Sequence, residues 1–262
     1  MDHYPHAAPA THRVHDYRYL THRWRAVARS SGIRFRTLST MSGYKLHYLK
    51  SPTLGARGGI YISAGIHGDE PAGVEGLISW AERNVHLLST LPCLLFPCLN
   101  PWGLVNNRRF EETGEDLNRL FHKEDHLLIQ AMRSLILPHH FEASLMLHED
   151  YDGQGFYLYE TELSRPFWGE RLVDVVRPII PIESRPRIDG RKPLKPGIVR
   201  RKIDFKRFAA IGLPEAVYLH VRHSERAFTI ETPSEFSIDQ RVAAQIAVID
   251  QCVRLVLGEN VG

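Results

Sequence analysis

A histidine and a glutamate stand three positions apart in the segment YISAGIHGDEPAG, residues 61–73, as His67 and Glu70. The apolar residues before them are typical of a strand covered on both faces, so the pair lies in the turn past the strand's carboxyl end. An imidazole nitrogen and a carboxylate oxygen are good zinc ligands, and Gly65 and Gly68 let the two side chains converge. The turn is a candidate metal site, although in a chain with 15 histidines about one such pair is expected by chance.

A third ligand is needed, because catalytic zinc usually has three protein ligands and a water. His148 ends the predicted strand EASLMLHED on its carboxyl side, where ligands gather in α/β sheets. His139 and His140 enter that strand at its opposite end, and the pair formed by His139 and Glu142 repeats the three-residue spacing there. We therefore choose His148 as the third ligand and interpret the second pair as structural.

Zinc-dependent hydrolysis also needs a carboxylate that takes a proton from the attacking water. Glu231, in FTIETP, leaves a predicted strand on its carboxyl side and is the candidate general base. Its alternative role is that of a capping partner for the residues that follow. Glu149 and Asp150 are rivals beside His148, but adjacent residues point in different directions, so we expect them to support the ligands from outside.

Residues 100–124 are predicted to form a long polar loop, and loops of this length are usually functional. The segment carries Arg108, Arg109, Asn118 and Arg119. A fixed guanidinium beside a carbonyl stabilises the oxyanion formed on attack, and one such donor is typically worth about 3–4 kcal/mol. A second arginine beside an asparagine can hold a substrate carboxylate. The alternative is a solvated loop with scattered charge.

The elements that must position these residues alternate between helix and strand patterns. Helices are predicted near 16–31, 71–84, 125–137, 164–177 and 237–257. The predicted strands are IRFRTLST and YKLHYLKS, which form a hairpin, followed by GGIYISAGI, PCLLFPCLN, EASLMLHED, GFYLYET and RAFTIETP. This alternation predicts an α/β layered fold with a mostly parallel central sheet.

The composition predicts one domain over residues 1–262, with a flexible tail at 1–12 and a basic surface insertion at 182–207. The chain is 43% hydrophobic and its net charge is +3, values typical of a globular protein. Three cysteines are too few for a disulfide framework, and neither a signal sequence nor an apolar run of membrane length is present. We therefore expect a cytoplasmic protein that does not contact membranes; the sequence carries no signal for an oligomeric state.

Four segments together resemble the zinc carboxypeptidase superfamily, which includes the succinylglutamate desuccinylase and aspartoacylase branch. They are HGDE, NPWGLVNNRRFEETGEDLNRLF, LHED and FTIETP. The most specific is RFEETGEDLNR, in which an arginine is followed five positions later by glycine and then by Asp-Leu-Asn-Arg. The resemblance implies a three-layer α/β/α sandwich around a mixed, mostly parallel, twisted sheet of about eight strands.

The resemblance also implies a role for each candidate residue. These roles are one zinc ion held by His67, Glu70 and His148, carbonyl polarisation by Arg109, carboxylate binding by Asn118 and Arg119, and a general base, Glu231. Tyr218 is the nearest candidate for the tyrosine that some carboxypeptidases place near the substrate carboxylate. Trp102, Glu111 and the pair Leu120–Phe121 depart from the family's pattern without removing a catalytic group, and they leave the substrate open.

The leading hypothesis is a metallocarboxypeptidase that acts on short peptides, with murein-type peptides among the candidates. The second is an N-acyl amino acid amidohydrolase of the desuccinylase type, with the same metal and base. The third is a non-catalytic binder that uses segment 182–207 to dock acidic ligands or nucleic acid. Aromatic residues that could stack on bases are sparse there, with only Phe205 near its end and Phe208 just beyond it, which argues against nucleic acid. In an enzyme, the positive charge of this segment would favour acidic substrates by electrostatic steering. His220, Arg222 and His223 either line the specificity pocket or lie on an exposed strand edge.

Overall fold

The computed structural model describes residues 13–162, 165–200, 203 and 205–258, so the predicted tail lies outside the described residues. The strands are β1 (Arg34–Met41), β2 (Tyr44–Lys50), β3 (Ile60–Ala64), β4 (Cys93–Phe96), β5 (Ala143–Asp150), β6 (Tyr157–Glu162), β7 (Ile198–Arg200) and β8 (Arg226–Pro233). The helices are α1 (Tyr17–Ser31), α2 (Pro71–Arg83), α3 (Val85–Leu88), α4 (Pro101–Asn106), α5 (Leu127–Ile136), α6 (Gly169–Asp174), α7 (Phe205–Ile211), α8 (Glu215–Arg222) and α9 (Ile238–Val256).

The eight described strands form a single sheet in the order β1-β2-β4-β3-β5-β8-β6-β7. Its centre is parallel, since β4, β3, β5 and β8 run in one direction. The hairpin strand β2 is antiparallel to β4, and β6 is antiparallel to β8 and parallel to β7. The sheet is therefore mixed with a parallel core, which confirms the predicted fold class.

Alternate residues of the central strands face opposite layers of helices. Ile60 and Ile62 of β3 pack into an apolar cluster with α1, α2, α6 and α9, whereas Tyr61 packs into a second cluster with α5 and α8. Successive side chains of a strand point to opposite faces, so one strand serves both layers. Burial on both faces explains why these strands read as continuous apolar runs. The two helical layers and the sheet make the three-layer sandwich.

The ends of α1 and α2 follow the signals seen in the sequence. The Asp16 side chain accepts a hydrogen bond from the Tyr19 N–H at 2.8 Å, and α1 stops at Gly32, whose φ is 74°. Such an acidic cap and a left-handed glycine are typical helix boundaries. Pro71 occupies the first turn of α2, where its missing N–H costs no hydrogen bond.

Residues 100–124 are not the unstructured loop that was predicted. They contain α4 and a short 3-10 helix at Leu117–Arg119. The Asn100 side chain accepts a hydrogen bond from the Gly103 N–H at 2.9 Å, so the Asn-Pro dipeptide is a helix start. The described part of segment 182–207 contributes to the sheet, because its strand β7 pairs with β6 and Val199 is buried. Arg201 and Lys202 of this segment lie outside the described residues.

The sequence did not predict α3, α7, α8 or β7, and the helix predicted at 164–177 is reduced to α6. These elements are short, and short helices depend on packing more than on their own propensity. Within the described part of the chain, no helix has both the length and the apolar character needed to cross a membrane.

Candidate active site

Two histidines and a glutamate meet at the carboxyl ends of β3 and β5. His67 Nδ1 lies 2.7 Å from Glu70 Oε1, and His148 Nδ1 lies 2.8 Å from Glu70 Oε2. All three residues are buried, and one potential ligand atom from each lies within 4.8 Å of the others. Two imidazole nitrogens and a carboxylate oxygen make a donor set that fits Zn²⁺.

Glycines make the turn between β3 and α2 possible. Gly65 has a φ of 61°, and a Cβ there would lie 2.6 Å from Cγ2 of Val74. A Cβ at Gly68 would lie only 2.0 Å from the carbonyl carbon of Gly103, so α4 packs directly on the turn. Only residues without side chains fit at these points. The local sequence thereby fixes where His67 and Glu70 point.

Asp116 holds His67 from the side opposite Glu70. Its Oδ1 lies 3.1 Å from His67 Nε2, which leaves Nδ1 directed at the cluster. Carboxylates that hold the second nitrogen of a metal-binding histidine orient the ring and raise its basicity. Sequence reasoning missed this role, although Asp116 is the first residue of the Asp-Leu-Asn-Arg signature.

The carboxylates set the electrostatics of the cluster. Burial alone would lower the pKa of His67, but Glu70 and Asp116 outweigh it and raise that pKa to about 9. Burial likewise opposes ionisation of Glu70, yet the two histidines hold its pKa below its usual range. The carboxylates therefore favour their ionised form and attract positive charge between the rings, as a cation site requires.

Glu149 and Asp150 have hydrogen-bond partners outside the His67–Glu70–His148 cluster. Glu149 accepts a hydrogen bond from the Ala72 N–H at 2.6 Å and pairs with Arg241, which ties β5 to α2 and α9. Burial raises the pKa of Glu149 to about 7 against the effect of Arg241. Asp150 Oδ2 accepts a hydrogen bond from the Tyr157 hydroxyl at 3.0 Å.

A cavity of about 300 Å³ opens beside the cluster. The candidate metal ligands, the candidate base and three polar residues of the loop line it: His67, Glu70, Arg109, Asn118, Arg119, His148 and Glu231. Arg109 Nη1 lies 3.2 Å from Glu70 Oε1, so this guanidinium adjoins the cluster. The sequence offered Arg108 as well as Arg109 in this loop, but Arg108 does not line the cavity.

The 3-10 helix presents Asn118 and Arg119 to the cavity. Asn118 Oδ1 accepts a hydrogen bond at 3.0 Å from the N–H of Glu215, the first residue of α8, which leaves the amide nitrogen to donate to a ligand. The Glu215 carboxyl is buried behind it and accepts a hydrogen bond from the Tyr61 hydroxyl; burial raises the pKa of Glu215. This upward shift disfavours negative charge at Glu215, next to the candidate carboxylate grip.

Glu231 lies at the same level of the sheet as the metal cluster. The parallel pairing of β5 and β8 puts it opposite His148, and the antiparallel pairing of β6 and β8 puts it opposite Tyr157. A carboxylate in this position faces the same cavity as the cluster. The register of three strands sets this placement. Because ligands gather at the carboxyl ends of parallel strands, the sequence could predict the position of Glu231.

Tyr218 requires a correction, because the structure does not bring it to the cavity. It lies on α8, an element that was not predicted, with its ring centre 5.7 Å from Phe121 and 5.1 Å from His223. His220 and Arg222 are also on α8, not on a strand edge, and neither they nor His223 line the cavity. Two other tyrosines do line it, Tyr157 and Tyr159, which alternate along β6. The alternation in GFYLYET was their only signal in the sequence.

Comparison with known proteins finds one matching family model and a shared fold. Residues 57–151 match the model of the succinylglutamate desuccinylase/aspartoacylase catalytic domain. No curated protein matches the chain. A solved structure named as a metallopeptidase from Shewanella amazonensis is similar, with a TM-score of 0.81 and 23% identity over 93% of this chain and 94% of that one. Another, from Shewanella baltica, has a TM-score of 0.79 and 25% identity over 92% of this chain and 93% of that one.

A metallo-carboxypeptidase from Burkholderia cenocepacia is more distant, with a TM-score of 0.67 and 15% identity over 93% of this chain and 69% of that one. The chain has the fold of the zinc carboxypeptidase-like superfamily, which confirms the resemblance carried by the four motifs. Fold, family match and metal-ligand cluster together support a metal-dependent hydrolase.

Proposed function

We propose that this chain is a zinc-dependent hydrolase that cleaves an amide bond next to a free carboxylate, and that it acts as a carboxypeptidase on short peptides. One observation carries the proposal. A single cavity contains the His67–Glu70–His148 cluster, the carboxylate of Glu231 and the paired donors Asn118 and Arg119. Hydrolysis of a C-terminal amide bond needs these three functions side by side.

The three buried ligands would hold one Zn²⁺ ion. When bound, such an ion acts as a Lewis acid and makes an attacking water available at neutral pH. Three protein ligands are enough for a catalytic zinc ion, which takes water as its fourth ligand. Asp116 keeps His67 Nδ1 directed at the ion's position.

The remaining residues position the substrate and move protons. Asn118 and Arg119 hold the terminal carboxylate, which brings the preceding carbonyl to the cluster. Arg109 donates hydrogen bonds to the carbonyl oxygen as negative charge develops there. Glu231 takes a proton from the attacking water and delivers it to the amide nitrogen, whose bond to the carbonyl carbon then breaks.

A second candidate function is hydrolysis of N-acyl amino acids. The match of residues 57–151 to the desuccinylase and aspartoacylase catalytic domain favours it. The same ligands, base and carboxylate grip would serve both reactions. Parallel assays of dipeptides and N-acyl amino acids on zinc-loaded protein separate the two, and we expect faster hydrolysis of the peptides. The binder hypothesis has no comparable support, and a cytoplasmic location stays a prediction.

The proposal predicts that Glu231→Gln lowers kcat by about 100- to 10,000-fold, because the amide cannot accept the proton. Zinc content should not change, since Glu231 is not among the ligands. Glu235→Gln is the matched control, because this glutamate is exposed and follows β8 by two residues. Full activity of Glu231→Gln with bound zinc would show that another group is the base.

A further inference from the structure

A two-residue hairpin turn forms part of the cavity wall. The sequence Ile-Asp-Gly-Arg, residues 188–191, is typical of such a turn, because Asp-Gly accepts the positive φ angles that it requires. Asp189 has a φ of 47° and Gly190 a φ of 72°. Ile188 and Arg191 exchange both backbone hydrogen bonds, at 2.9 and 2.8 Å. Ile188 is buried with Tyr157 and Tyr159, so the turn is held firmly against β6.

The turn presents two opposite charges, Asp189 and Arg191, whose surroundings differ within the described residues. Asp189 accepts a hydrogen bond from the Tyr159 hydroxyl. Arg191 lines the same cavity, yet its Nε is buried without a hydrogen-bond partner, and no carboxylate pairs with it among the described residues. A buried donor left unpaired is costly. The arrangement points to an anionic group of the ligand as the missing partner.

The depth of the cavity shows which part of a substrate reaches this turn. Glu231 is level with the metal cluster, but Thr229 lies two residues deeper along β8, opposite Tyr159. Both Thr229 and Tyr159 line the cavity, and Phe208 of α7 and Val217 of α8 line it as well. The pocket therefore descends between the sheet and the helical layer that also supports Asn118.

We place the substrate residue whose carboxylate is held by Asn118 and Arg119 on this side of the cluster, because both residues line the same cavity as Thr229 and Tyr159. Its side chain can enter the deeper part of the pocket, whereas the acyl portion remains on the far side of the scissile bond. The Tyr159 hydroxyl donates to Asp189, two residues before Arg191, so a side chain that passes Tyr159 reaches the turn that carries both residues.

We propose that Arg191 is a specificity residue that pairs with a carboxylate on the side chain of the leaving amino acid, so that the preferred substrates end in a glutamate-like residue. The inference rests on the proposed function and names its substrate class. A guanidinium binds a carboxylate through two parallel hydrogen bonds, which a neutral amide cannot reproduce. Asp189 would instead favour a basic side chain, but it is already engaged by Tyr159.

The test compares three peptides that differ only in the last residue, Gly-Glu, Gly-Gln and Gly-Lys. We expect kcat/KM for Gly-Glu to exceed that for Gly-Gln by about 10- to 100-fold, with Gly-Lys the poorest. In Arg191→Gln the Glu-to-Gln ratio should fall toward one, and Arg191→Lys should restore part of it. A preference for Gly-Lys, or an unchanged ratio in Arg191→Gln, would overturn the proposal.

Lys192→Gln is the matched control. Lys192 is the next residue, is exposed and does not line the cavity, so its removal takes one charge from the basic segment without touching the pocket. If general steering caused the preference, the two variants would lower the ratio equally and the proposal would fail. If Arg191 acts by contact, Lys192→Gln keeps the wild-type ratio.

Binding separates this inference from the proposed function. Calorimetry with zinc-loaded Glu231→Gln protein measures affinity for the same peptides without turnover, and we expect Gly-Glu to bind at least about 10-fold more tightly than Gly-Gln. Equal binding, or no binding of either, overturns the role of Arg191. Hydrolysis of all three peptides at equal rates would leave the carboxypeptidase in place and remove only the acidic preference. Tight binding of Gly-Glu without hydrolysis by the wild type would leave the acidic preference in place and remove the carboxypeptidase activity.

Discussion

Single residues at this site act through neighbours that the sequence places far away. His67 has one ring nitrogen beside Glu70 and the other beside Asp116, 49 positions later in the chain. The two contacts leave the imidazole little freedom to turn. Asp116 also lies 3.7 Å from Arg109, so it links the ligand cluster to the guanidinium proposed for the carbonyl.

Asp116→Asn should weaken zinc binding by about 10- to 100-fold, because the amide no longer orients His67 as a carboxylate does. The measurement is competition for zinc with a chelator of known affinity. Asp125→Asn serves as the control, since Asp125 is exposed in the segment just before α5. Equal zinc affinity in the two variants would contradict the role given to Asp116.

At the scale of elements, close packing of backbone on backbone holds the site together. The turn after β3 touches α4 at Gly68 and Gly103. The Gly68 N–H and the Asn100 amide both donate to the carbonyl oxygen of Arg109, each at 3.3 Å. These contacts join the metal-binding turn to the loop that carries Arg109.

Gly68→Ala should destabilise the metal-free protein by roughly 1–3 kcal/mol or more, because the added methyl forces α4 away from the turn. Zinc binding should weaken with it. Urea unfolding of the metal-free protein gives the first effect. The control is Gly55→Ala, where the nearest atom to an added Cβ is 3.9 Å away and the methyl fits. Equal free energies of unfolding for the two variants would show that α4 moves away from the turn without a cost in stability, against this prediction.

The sequence predicted what depends on local signals and missed what depends on distant contacts. His67, His148 and Glu231 were found because each follows an apolar run at its carboxyl end. Arg191 and Tyr159 were missed because their role depends on which face of β6 and which side of a hairpin meets the cavity. The eight-residue helix α8 and the three-residue strand β7 are stable through packing and pairing, which composition does not reveal.

The whole molecule joins one parallel core to antiparallel strands on either side. β3, β5 and β8 bring their carboxyl ends together at the metal cluster, while β6, running the other way, supplies the wall with Tyr157 and Tyr159. The single sheet supports our proposal that residues 1–262 form one domain. The basic segment contributes Arg191 to the cavity and β7 to the sheet, so its charge belongs to the site as well as to the surface.

Zinc stoichiometry tests the central claim most directly, because every proposed step assumes that His67, Glu70 and His148 hold one ion. Elemental analysis and chelator competition should be made on the wild type, on His148→Ala and on His140→Ala, whose histidine enters the same strand at its opposite end. We predict one tightly bound zinc per chain in the wild type and in His140→Ala, and a loss of tight binding in folded His148→Ala. Zinc held as tightly by His148→Ala as by the wild type, or no zinc uptake by the wild type, would contradict the account.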